Sequence, residues 1–155
     1  MALATGYYAT KDRLQQRLAE TAPGRVQILT GPRQVGKTTL LLELAQEWGE
    51  RAAYLAADAP ETALSGWWEA QWRRARQLAA TGKAVLLLDE VQYLPGWSRL
   101  VKAAIDQVHR EHLPLHLVVT GSAALVLGSS ARETMAGRYE RLALRQWQPQ
   151  DLARA

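Results

Sequence analysis

The sequence predicts an α/β domain of three layers, a parallel five-stranded sheet with helices on both faces. Three observations predict it. Short apolar runs alternate with amphipathic stretches along the whole chain, as strands joined by helical crossovers do. The run Val85-Leu86-Leu87-Leu88 is continuously apolar, which suits a strand buried on both faces. The glycine-bearing stretch Thr30-Gly31-Pro32-Arg33-Gln34-Val35-Gly36-Lys37-Thr38-Thr39 lies between a short apolar run and an apolar-periodic segment, so strand, loop and helix follow in order.

Taking the elements in turn, residues 1–9 show no clear pattern. Thr10 can cap a helix carrying Leu14 and Leu18 one turn apart, and Ala22-Pro23-Gly24 ends it. Residues 26–30 form the first strand. A helix from the loop runs through Trp48 and stops at Gly49. Residues 53–57 read as a second strand, although alanine is a poor strand former. Residues 67–80 place Trp68, Trp72, Ala75 and Ala79 on one helical stripe. The third strand, 85–88, ends at Asp89-Glu90. An amphipathic helix over 98–112 follows the turn Leu94-Pro95-Gly96 and is broken by Pro114. The fourth strand, 115–119, ends at Thr120-Gly121-Ser122. A helical or irregular piece covers 123–135, with a break near 128–130, and 139–144 is a short fifth strand. Residues 146–155 carry no strong pattern.

The totals bound what such a domain does. A chain of 155 residues, 48% hydrophobic and 22% charged, is one globular domain with a real core. The apolar runs, such as 84–88, are strand-sized, so no membrane helix is expected. The N-terminus lacks the basic start and apolar block of a secretory signal. Cysteine is absent, which excludes disulfides, thiol catalysis and Cys-ligated zinc. These features together suggest a cytoplasmic protein. With 19 Lys and Arg against 15 Asp and Glu, the net charge is +4. That permits a nucleotide or nucleic-acid partner without demanding one.

Gly31-x-x-x-x-Gly36-Lys37-Thr38 is the phosphate-binding loop pattern. Glycines let successive backbone N–H groups turn inward around an anion, and the next helix aims its positive end at the same point. Lys37 adds a mobile charge for the outer phosphates, and the Thr38 hydroxyl can hold magnesium. Right-handed crossovers put all strand C-termini on one edge, where ligands bind in such sheets. Three loops should therefore converge there: 31–38, Asp89-Glu90 and 120–122. Asp89 can order the magnesium beside Thr38, and Glu90 can activate an attacking water. Ser122, or alternatively Thr120, can bond the terminal phosphate or that water. Arg138 can project into a neighbouring subunit's site and stabilise developing charge.

Two weaker features point elsewhere. Trp67, Trp68 and Trp72 interleave with Arg73, Arg74 and Arg76, a mix able to stack bases and hold phosphates. The same spacing describes an amphipathic helix with Trp inward and Arg outward, and that reading is preferred. His109, His112 and His116 lack partners with ligand spacing, so no metal site is assigned to them.

Four stretches carry a family resemblance: G-P-R-Q-V-G-K-T-T-L at 31–40, L-L-L-D-E-V-Q-Y-L-P-G-W at 86–97, V-V-T-G-S-A-A-L at 118–125 and A-G-R-Y at 136–139. With them the chain resembles a family of predicted prokaryotic ATPases of the AAA superfamily, whose core usually precedes a poorly characterised C-terminal domain. The resemblance implies a P-loop NTPase fold of the additional-strand type, order 5-1-4-3-2, and ATP with magnesium (Mg2+). It implies cofactor contacts along the loop, from Gly31, Pro32, Arg33, Gln34, Val35, Gly36, Lys37, Thr38 and Thr39. It implies metal roles for Thr38 and Asp89, the catalytic base at Glu90, the first sensor at Ser122 and a finger position at Arg138. Residues 1–155 would then be the ATPase core alone, ending before the helical lid and the C-terminal domain.

The leading expectation is ATP hydrolysis driving movement in a larger protein or assembly, with a homo-oligomer formed through Arg138. A nucleotide-dependent switch with negligible turnover is the alternative. A nucleic-acid-binding module using the Trp/Arg helix is a weaker one. A small-molecule kinase is disfavoured, because Asp89-Glu90 prepares water rather than a substrate hydroxyl.

Overall fold

The computed structural model describes residues 4–122, 124 and 128–153. Its centre is a six-stranded, all-parallel sheet. The strands are β1 (Ala4–Thr5), β2 (Val26–Thr30), β3 (Ala52–Ala56), β4 (Ala84–Asp89), β5 (Leu115–Gly121) and β6 (Tyr139–Leu144). They lie in the order β1-β6-β2-β5-β4-β3. The five expected strands thus fall in the expected order, and β5 separates the loop-bearing strand β2 from the acidic strand β4.

The sixth strand corrects the sequence reading. Ala4 and Thr5 pair with Ala143 and Leu144 at the sheet edge. Two residues are too few to show a period, so only the long-range pairing reveals them. The first helix, α1, spans Tyr7–Ala19, with Gly6 at its N-cap. It starts before Thr10, which is therefore not a cap. Thr10 is buried, and its hydroxyl meets that of Thr5, tying the helix back to the edge strand.

The remaining helices are α2 (Lys37–Trp48), α3 (Trp67–Ala80), α4 (Trp97–Glu111), α5 (Ser129–Thr134) and α6 (Pro149–Leu152). Part of the 123–135 piece, at 123 and 125–127, lies outside the described residues. The last helix is another correction to a stretch that carried no strong pattern. Gln148 and Asp151 form a reciprocal capping box around it, with Pro149 in its first turn.

Every residue of β2, β4 and β5 is buried, as a sheet covered on both faces requires. The strand period of two sorts their side chains. Leu86 and Leu88 join Leu117 and Val119 in one core with Trp68, Trp72, Val101 and Ile105. Val85 and Leu87 join Leu29 and Val118 in the other with Leu14, Leu18, Leu40 and Leu44. So α1 and α2 cover one face, and α3 and α4 the other. Trp68 and Trp72 stack on each other at 6.1 Å within the core, while Arg73 and Arg74 face solvent. The amphipathic reading of α3 holds. Among the described residues, no helix is long and apolar enough to cross a membrane.

Candidate functional site

The loop 31–36 leaves the C-terminal end of β2 and feeds directly into α2. Its glycines have specific reasons. A Cβ on Gly31 would meet the Leu144 carbonyl oxygen at 2.5 Å, so the loop crosses β6 too closely for a side chain. Gly36 has φ 101°, a left-handed conformation that costs glycine little. Val35 is buried and anchors the loop tip to the core. No side chain caps α2, so its first-turn N–H groups remain for an anion.

Lys37 opens α2 and is only 6% exposed. Its ammonium donates to the carbonyls of Gly31 at 2.8 Å and Pro32 at 2.6 Å. Burial pushes its pKa below the usual lysine value, Glu90 and Asp89 oppose that shift, and Arg33 adds to it. The loop thus holds a desolvated cation against its own carbonyls.

Asp89 ends β4 and is 2% exposed. One carboxylate oxygen accepts from the Thr38 hydroxyl and the Tyr54 hydroxyl, each at 2.8 Å. The other accepts from the Thr120 hydroxyl. Burial and the bond to Asp89 push the Tyr54 hydroxyl above the ordinary tyrosine range, so it stays a donor. Thr120, wholly buried on β5, also accepts the Glu90 N–H at 3.0 Å. One hydroxyl therefore fixes both members of the acidic pair. Glu90 has φ 54°, turning the chain out of the strand, and its carboxylate accepts from the Gln92 side chain.

These parts meet at a cavity of about 330 Å³ lined by Tyr7, Gln34, Gly36, Lys37, Thr38, Thr39, Glu90 and Trp147. The juxtaposed Thr38 hydroxyl and Asp89 carboxylate fit a magnesium ion, which takes one or two protein oxygens and completes its shell with water and phosphate. Among the described residues no group of three or more His, Cys, Asp or Glu could hold a metal. His109 and His116 instead meet the backbone carbonyls of Gly24 and Glu20.

Ser122 and Arg138 stand apart from this cavity. Ser122 borders a separate hollow with Thr30, Gly31, Pro32 and Arg141. Of the two candidates after the fourth strand, Thr120 is the one brought to Asp89 and Glu90. Arg138 precedes β6, and its carbonyl accepts the N–H of Val26 at 2.8 Å. That is the N-terminal edge of the sheet, opposite the phosphate loop, so Arg138 cannot serve its own chain's site. Its guanidinium donates to Asp106 at 2.7 Å, in a groove with Arg99, Lys102 and Arg110.

Comparison with known proteins agrees with this geometry. The profile of a family described as an AAA domain matches residues 23–151. The chain belongs to the AAA domain family. Two uncharacterized proteins, from Mycobacterium bovis and Mycobacterium tuberculosis, are each 32% identical to it over 126 residues, covering 81% of this chain and 25% of theirs. The chain thus spans about a quarter of the length of these curated relatives. The ORC1 protein of Aeropyrum pernix, solved in complex with DNA, superposes with a TM-score of 0.59 at 18% identity, covering 99% of this chain and 49% of that one. At that identity the likeness shows the fold alone; taken with the AAA domain match it supports a P-loop AAA-type ATPase core.

The AAA domain's sequence hid three site residues. Tyr54 lies on β3 two residues from its end, where the register Ala56↔Asp89 brings it near the acidic strand end. Its alternation with the buried Ala53 and Leu55 was the available signal. Tyr7 and Trp147 come from opposite ends of the chain and carry no local signature. They meet only because α1 and the segment after β6 flank the same loop.

Proposed function

We propose that this AAA domain binds ATP with magnesium and hydrolyses it to ADP and phosphate, driving conformational change in a larger protein or assembly. The observation that carries this reading is the arrival of Lys37, Thr38 and Glu90 at one cavity, with Asp89 bonded to Thr38 behind them.

The loop N–H groups and the start of α2 cradle the β- and γ-phosphates. Lys37 leaves the Gly31 and Pro32 carbonyls to pair with them, exchanging two neutral acceptors for charged ones. Thr38 and Asp89 would hold the magnesium. Bound there, magnesium neutralises charge on the phosphate oxygens. Glu90 aligns a water for in-line attack and accepts its proton. The new bond joins the water oxygen to the γ-phosphorus, and the bond from that phosphorus to the β–γ bridging oxygen breaks. Thr120 and Tyr54 keep the acidic pair in place without touching the nucleotide. Arg138 acts on a neighbouring copy's nucleotide, once it has left Asp106.

Steady-state phosphate release from the wild-type chain and Glu90→Gln tests this. The variant should keep nucleotide affinity and lose turnover by about a hundredfold or more. Full turnover in Glu90→Gln would remove the water-activating role. A burst near one phosphate per chain with no steady state would favour the switch.

A further inference from the structure

One wall of the phosphate cavity is aromatic. Tyr7, at the start of α1, and Trp147, after β6, both line it. Their rings stack at 5.2 Å with 23° between planes. Tyr8 sets its ring edge-on to both, at 5.3 Å and 6.1 Å. The pair abuts the phosphate loop itself. A Cβ on Gly36 would meet the Tyr7 ring at 3.1 Å and the Trp147 indole nitrogen at 3.8 Å.

The two rings are unequal. Tyr7 is buried, and burial together with the neighbouring Glu43 carboxylate pushes its hydroxyl above the ordinary tyrosine range. It is a fixed backing. Trp147 rests on it yet remains 39% exposed, one of the few large apolar side chains left open. The other lining side chains, Gln34, Lys37, Thr38, Thr39 and Glu90, belong to the loop, the first turn of α2 and the acidic turn. These suit phosphate, metal and water. What the cavity offers the rest of a nucleotide is the indole.

We propose that Trp147, backed by Tyr7 and braced by Tyr8, is the stacking surface for the nucleobase. This rests on the nucleotide-binding reading above. The stack exists before any ligand arrives, so little ordering cost remains at binding. Stacking uses the π-face that every base has, so it does not by itself tell one base from another. ATP and GTP should therefore bind with affinities within about tenfold of each other, whereas sites that hydrogen-bond a substrate group reject analogues far more strongly.

Calorimetric titration of the chain with magnesium-ATP, magnesium-GTP and magnesium-tripolyphosphate separates base from phosphate. Trp147→Ala should weaken ATP and GTP by about tenfold or more, the usual range for one lost aromatic–base contact. Tripolyphosphate, which has no base, should bind the variant within about twofold of wild type and so also reports an intact fold. Trp147→Phe should recover most of the loss. ATP binding unchanged in Trp147→Ala, or ATP and tripolyphosphate weakened by the same factor, would overturn the proposal. So would a wild-type preference for ATP over GTP beyond about a hundredfold. Failure of the wild type to bind either nucleotide or tripolyphosphate would overturn the nucleotide reading itself, and this proposal with it.

Discussion

Replacing Thr120 by Val tests the organisation of the acidic pair. The change conserves shape and removes one hydroxyl, which donates to Asp89 and accepts from the Glu90 N–H. Losing a donor to a carboxylate costs about 1.5–3 kcal/mol, and leaving a buried N–H unpaired costs about 1–3 kcal/mol. Asp89 keeps Thr38 and Tyr54 on its other oxygen, which softens the first loss. We expect a net destabilisation of about 3 kcal/mol by urea unfolding. Glu90 also loses its backbone tether, so turnover should fall while the affinity for magnesium-ATP changes little. Thr120→Ser keeps the hydroxyl and loses only a buried methyl, about 1 kcal/mol, and should retain turnover. Thr120→Val with stability within about 0.5 kcal/mol of wild type and full turnover would refute the role given to this hydroxyl.

Two further outcomes follow from the same structure. Arg138→Ala should lower turnover at high protein concentration by at least about tenfold, fingers in trans being worth more than that, without changing nucleotide affinity; no effect at any concentration would end the trans role. Glu140 is held below its ordinary carboxylate value of 4.5, chiefly by Arg17, with Arg13 adding to it. Its stabilisation is complete above that pH and is lost as pH falls through the lowered value. Glu140→Gln should cost about 1 kcal/mol at pH 7 and converge on wild type in acid, as pH-dependent unfolding can show.

What the sequence revealed was local. The run at 85–88, the loop at 31–38 and the stripe Trp68, Trp72, Ala75 and Ala79 each carry their pattern within a few residues, and each formed where its pattern placed it. What it hid depends on partners distant in the chain. β1 exists because β6 offers it an edge. The last turn forms because Gln148 and Asp151 satisfy each other's backbone N–H, and Asp151 also meets Arg145. The same division runs through the site. The meeting of Lys37, Thr38, Asp89 and Glu90 was readable because motif spacing encodes it. Tyr54 reaches Asp89 only through strand register, and Tyr7 meets Trp147 only through closure of the fold. Side-chain direction separates Thr120 from Ser122: the first, inside β5, bonds the acidic strand end, and the second, beyond it, borders a hollow with Gly31 and Pro32.

The claim on which everything else depends is that the cavity above Gly36 holds nucleotide phosphates through Lys37. The most direct test is titration of ATP, with and without magnesium, into the wild-type chain and Lys37→Ala. The wild type should bind more tightly with magnesium. Lys37→Ala should lose about tenfold to a hundredfold or more in affinity, as removal of a charged partner from a buried anion site does. Equal binding by the two proteins would contradict the assignment of this loop as the phosphate site.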